Sequence, residues 1–199
     1  MTTAKDLFLL AIDRNQPVGQ GDLSLTLAGA ELIDLIHADA VAVDGDRIVP
    51  GGPSALDDRF MREAAAGLTG QAPYERIEDW LWRRGRDLSA AYQAALEESG
   101  ELTPQRGRRL SFLSESLKTV DTPARRHAAD RWREREPVLT ALAAIVGIDD
   151  ERSDDEAGLD DEAVTSVLAT VHDAVMELEA VRQRRTIENA AFANIWRGP

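Results

Sequence analysis

The chain contains no cysteine. That excludes a disulfide framework, a thiolate nucleophile and every cysteine-based zinc site. Histidine is nearly as scarce: His37, His127 and His172 stand far apart and in no metal-ligand spacing. No G-x-S-x-G elbow occurs, and Gly19-Gln20-Gly21 lacks the lysine and the strand–turn–helix setting of a phosphate loop. The expectation is therefore a non-enzymatic protein without metal or cofactor. No apolar run approaches the ~20 residues of a membrane span. The opening stretch MTTAKDLFLLAIDRNQ lacks the features of a signal peptide, so a cytoplasmic location is expected.

What is present is an ordinary globular composition over 199 residues, 43% hydrophobic and 30% charged. One domain, 1–199, is expected from this length. The formal net charge of −13 opposes non-specific attraction to nucleic acid or anionic lipid over the whole surface. Charge is nevertheless unevenly placed. Residues 83–135 hold 12 Lys and Arg against 8 Asp and Glu, a local excess of +4 on an otherwise acidic body.

The most apolar stretch, LSLTLAGAELIDLIHADAVAVDGDRIVP, changes period halfway. Leu25, Leu32, Leu35 and Ile36 follow helical spacing around a small-residue notch at Ala28 and Gly29. Asp22 or Ser24 is the expected N-cap. Such a helix belongs at the centre of a bundle. Val41 and Val43, then Asp44-Gly45-Asp46, then Ile48 and Val49 predict a β-hairpin over about 41–49. A helix followed by a hairpin raises the question of a DNA-binding winged helix. Lys and Arg are missing between Arg14 and Arg47, where phosphate contacts would need them, so nucleic acid is not an expected partner.

Further helices are expected through Leu7–Ile12, after Ser54 as a cap, from Pro73 to Arg84, from Asp87 to Ser99, after Thr122-Pro123 and from Pro137 to Val146, and Ala163 to about Trp196 reads as one long helix or two consecutive ones. Glu101 to Lys118 reads as a second hairpin turning near Gln105–Arg108. Nine of the fourteen residues from Asp149 to Glu162 are acidic, which predicts a solvated loop within the domain. The fold class is mainly α, a bundle of short helices with two small hairpins.

Arg83, Arg84 and Arg86 beside Trp80 and Trp82 form the one stretch that suggests a ligand. Guanidiniums grip phosphates bidentately, and an indole rests well at a membrane interface. The same arginines also suit a helix C-terminus, where they complement the dipole and neighbouring carboxylates.

The order LFLLAID, LAGAELIDL with a hairpin to RIVP, IEDWLWRR, and LEESGELTPQRGRRLSFLSESLKTVDTPARR resembles the Golgi phosphoprotein 3 family, most closely its bacterial, actinomycete-type members. The resemblance runs from about Lys5 to Gly147. It implies a helical bundle ringed by amphipathic helices, with a protruding β-hairpin. Eukaryotic members bind phosphatidylinositol 4-phosphate, associate peripherally with Golgi membranes and capture glycosyltransferase tails. Carried over by position, the family's headgroup tryptophan falls near Gly19 and its central-helix arginine on Ala28. Its two further basic residues fall on Arg86 and Ser89, and only Arg86 keeps the chemistry.

The resemblance further implies membrane or oligomer contact by the second hairpin, here through Arg106, Arg108, Arg109, Leu110, Phe112 and Leu113. The expected function is thus a peripheral membrane adaptor that binds anionic phospholipid or phosphoinositide through Arg83, Arg84 and Arg86, with protein clients and self-association as further partners. The alternative is a protein-interaction or oligomerisation module of the same fold that has lost phosphoinositide binding.

Overall fold

The computed structural model describes residues 1–13, 18–104, 117–148 and 160–196. The described residues form eight helices and two separate antiparallel hairpins, in agreement with the mainly α class read from the sequence. In chain order these are α1 (Thr3–Asp13), α2 (Gln20–His37), β1 (Val41–Asp44), β2 (Arg47–Pro50), α3 (Arg59–Ala66), α4 (Ile77–Arg84) and α5 (Leu88–Glu98). Then follow β3 (Leu102–Pro104), β4 (Leu117–Thr119), α6 (Pro123–Arg133), α7 (Pro137–Ile145) and α8 (Glu162–Trp196).

Helix α2 is the hub. Leu23, Leu25, Leu27, Leu32, Ile33 and Leu35 are all buried, so its apolar surface extends well beyond one stripe. Helices α1, α3, α4, α5, α7 and α8 and strand β1 all pack on it. At the Gly29 notch α8 packs closely on α2. A methyl group built there would collide with Val171 Cγ2, so only glycine lets the two helices meet at this depth. From α8, Val164, Val167, Leu168, Val171 and Val175 are buried and complete the cover.

Two expected caps are corrected by the structure. Helix α2 starts earlier than Asp22 or Ser24 implied: its N-cap is Gly19, whose extended backbone leaves Gly19 O to accept from Leu23 N. Asp22 and Ser24 therefore lie inside the helix, where both take other partners. Ser54 caps nothing, because its hydroxyl donates to Ala38 O. Helix α3 begins instead after Asp58, whose carboxylate accepts from Met61 N. At α6 the expected signal holds: Thr122 accepts from Arg125 N, and Pro123 takes the first helical position. Glu136 caps α7 in the same manner, accepting from Val138 N and Leu139 N.

The first hairpin pairs Val41 with Pro50 and Asp44 with Arg47. Its tip also anchors the start of α4, since Ile77 N donates to Asp46 O and Arg76 pairs with Asp46 at 2.7 Å. The second hairpin is present at its base, Leu102 opposite Thr119 and Pro104 opposite Leu117. The expected turn at 105–108 and the contact residues Arg106, Arg108, Arg109, Leu110, Phe112 and Leu113 lie outside the described residues, as does most of the acidic stretch from Asp149. Its last residues, Asp160 and Asp161, are exposed, and Asp161 caps α8. No helix among the described residues is long and apolar enough to cross a membrane.

Candidate functional site

Helix α4 carries the sequence IEDWLWRR and buries Ile77, Trp80 and Leu81. The same inward face, one turn on, brings Arg84 inside. Its Nε donates to Glu31 Oε2 at 2.7 Å and its Nη2 to Glu31 Oε1 at 3.1 Å. Glu31 is fully buried on α2, and Tyr92 from α5 donates to the same Oε1 at 3.0 Å. Burial raises the Glu31 pKa, while the hydrogen bonds and charge of Arg84 and the Tyr92 hydroxyl oppose that rise. Burial, reinforced by the charge of Glu31, also pushes the Tyr92 phenol well above its ordinary value. The Tyr92 ring stacks on Phe60 with centroids 4.0 Å apart. The cluster ties α2, α3, α4 and α5 together.

Arg83 points outward but is also engaged. It forks onto Glu75 with two hydrogen bonds of 2.7 Å, donates to Gly67 O at 3.0 Å, and lies 5.1 Å from the Trp80 ring centroid. Glu75 and Gly67 belong to the segment before α4, so Arg83 fastens that loop to the helix.

Arg86 differs from both. It is exposed in the turn between α4 and α5, and no hydrogen bond or ion pair holds it among the described residues. The turn lies against the first turns of α2 at Gly85, where a Cβ would collide with Leu81 O and crowd Ser24 O. One helical turn before Arg86 stands Trp82, 36% exposed, whereas Trp80 is fully buried. Of the expected guanidinium–indole grouping, the surface keeps Arg86 and Trp82.

At the family-related positions Gly19, Ala28 and Ser89 the chain has built something else. Ala28 is buried in the core. Ser24 Oγ donates to Ser89 Oγ at 2.9 Å, Ser89 N donates to Ser24 Oγ at 3.0 Å, and Ser89 Oγ donates to Gln20 O at 3.3 Å. Beside Gly19, Arg182 of α8 donates to both carboxylate oxygens of Asp22 at 2.8 and 2.6 Å. Sequence reading missed this pair. Nothing local marked it, because Asp22 read as a candidate N-cap and its partner lies 160 residues away on α8. Among the described residues no group of three or more acidic or histidine side chains is arranged to hold a metal ion.

A family model described as Golgi phosphoprotein 3 (GPP34) matches residues 4–188. No curated protein matches the chain.

Proposed function

Because the chain belongs to the Golgi phosphoprotein 3 family, we propose that it works as one peripheral, non-enzymatic domain that binds anionic phospholipid headgroups and links a membrane to protein clients. The observation that carries the reading is Arg86: an exposed, unpaired guanidinium on the α4–α5 turn, one helical turn from a half-exposed indole. A guanidinium donates bidentately to phosphate, and the neighbouring indole ring prefers the headgroup layer. In this reading the stretch that holds Arg106, Arg108, Arg109, Leu110, Phe112 and Leu113 has the mixed basic and apolar composition of a further membrane or oligomer contact.

Arg83 and Arg84 take a different part in this proposal. Both are spent on carboxylates of their own chain, so they hold α4 and its turn in place and leave the headgroup to Arg86. With the family's other headgroup positions occupied by Gly19, Ala28 and Ser89, the proposed ligand class is the anionic bilayer in general rather than one phosphoinositide.

Co-sedimentation with vesicles of phosphatidylcholine, with and without phosphatidylserine or phosphatidylinositol 4-phosphate, tests the reading. Arg86→Glu reverses one surface charge and is expected to weaken binding to anionic vesicles by about 2 kcal/mol, roughly thirtyfold. Unchanged partitioning of that variant overturns Arg86 as the contact. A wild-type chain that stays in the supernatant with every vesicle leaves the interaction-module alternative standing.

A further inference from the structure

Among the described residues, every arginine whose side chain is placed has a partner within the fold except Arg86, Arg184 and Arg185. These are all exposed. The chain has 36 Asp and Glu against 23 Lys and Arg, so a shortage of carboxylates does not account for them. The carboxylates nearest to them in sequence, Asp87 and Glu188, are exposed as well and pair with none of them.

The fold brings these guanidiniums to one end of one seam. Helices α4 and α8 run the same way along α2: Leu81 and Val171 both flank Gly29. Nearer the start of α2, Gly85 lies against Ser24 and Leu25, while Leu178 and Arg182 lie against Gly21. One side of α8 faces the start of α4, because Asp173, Ala174 and Glu177 line a cleft together with Ile77 and Glu78. At ~100° per residue, Arg184 falls about 20° from the directions of Asp173 and Glu177, and Arg185 about 20° from that of Ala174. Both therefore continue, further along the helix, the stripe that faces α4. On α4, Trp82 follows Glu78 by one turn, and Arg86 stands in the turn beyond. The seam changes sign along its length, from Asp46, Glu78, Asp173 and Glu177 at one end to the free arginines at the other.

Spacing selects the occupant. Arg86 follows Leu81 by five residues and Arg184 follows Val171 by thirteen, so at 1.5 Å per residue the two stand about 12 Å apart along the bundle. That spreads positive charge over a surface rather than around one point, which suits the array of phosphates an anionic bilayer presents. The half-exposed Trp82 prefers the same headgroup layer. A nucleic acid also presents an array of phosphates, but the net charge of −13 opposes it. We infer that Arg184 and Arg185 of α8 join Arg86 in one anionic-bilayer contact at the basic end of the α4–α8 seam. The inference rests on the membrane reading above and adds a second helix to it, with charge that Gly19, Ala28 and Ser89 do not supply.

The test uses the full chain and vesicles of phosphatidylcholine with phosphatidylserine. The double variant Arg184→Gln, Arg185→Gln is expected to lower co-sedimentation by about tenfold or more, and Arg184→Lys, Arg185→Lys to keep it. Both should hold the wild-type thermal midpoint, since neither arginine has a partner in the fold. Undiminished binding of the glutamine variant overturns the inference, even where Arg86→Glu abolishes binding and the Arg86 site stands. Loss in the glutamine variant with Arg86→Glu neutral supports the α8 contact and removes Arg86 from it. A lysine variant as weak as the glutamine variant overturns a contact made by charge. A wild-type chain that ignores these vesicles but binds a DNA duplex, with that binding lost in the glutamine variant, overturns the bilayer as occupant.

Discussion

Arg84 of α4 places its guanidinium fork on the carboxylate of Glu31, a residue with no solvent exposure at the middle of the central helix. The arginine itself is only 17% exposed. A pair so placed holds the bundle together only while both members are present. Arg84→Met leaves Glu31 buried with the Tyr92 hydroxyl as its remaining side-chain partner and is expected to cost ~3–5 kcal/mol in urea unfolding. Adding Glu31→Met to that variant should restore most of the loss. A single variant as stable as wild type would remove the pair from the account of the core.

Where α2 meets α8, the crossing depends on a missing side chain. Gly29→Ala forces a methyl group onto Val171 and should lower stability by about 1–3 kcal/mol. Val171→Ala opens the space it needs, so the double variant should fall short of the sum of the two single losses. Strict additivity in a double-mutant cycle would show that the helices do not touch there.

The α2–α5 junction turns on two small hydroxyls. Ser24→Ala strips the buried amide of Ser89 of its acceptor and leaves the Ser89 hydroxyl without its donor. A loss of about 1–3 kcal/mol is expected, measured by the thermal or urea midpoint. Hydrogen exchange at the Ser89 amide should quicken in the same variant.

Asp34 gives the pH dependence a definite sign. Its carboxylate accepts from Thr3 N at 2.7 Å, and burial raises its pKa to about 6 despite the hydrogen bonds from Thr3 and Ala4. A carboxyl whose folded pKa lies above its unfolded value binds its proton more tightly in the native state. Stability attributable to this residue is therefore greatest below about pH 4 and declines as pH rises to about 6. Asp34→Asn keeps an acceptor for Thr3 and abolishes the titration. The variant should match wild type at low pH and exceed it at pH 7 by on the order of 2–3 kcal/mol. A gap that is the same at both pH values would rule out the raised pKa.

Much of this was legible in the residues. Helix positions followed from apolar spacing and from Thr122-Pro123, and the small-residue notch noted at Ala28 and Gly29 is a place where Val171 packs. The caps at Asp58 and Gly19 did not follow, because several polar residues competed for each role and tertiary partners decided between them. The arginine cluster was legible as basic but not as divided. Yet Glu31 stands in the repeat Leu27–Glu31–Leu35, and Arg84 continues the repeat Ile77–Leu81 towards the core. A carboxylate and a guanidinium each embedded in a buried stripe identify one another, since neither is stable there alone. Arg86 falls outside any such stripe, which is the sequence-level reason it remains at the surface.

The long C-terminal helix also has a temporal meaning. The hub helix ends at His37, whereas the helix that packs so extensively over it starts only at Glu162. At ~5–20 residues per second a ribosome needs on the order of ten seconds to bridge that interval. For that period the nascent chain carries Gly29 and the apolar surface around it without Val171, and closure of the hydrophobic centre awaits α8.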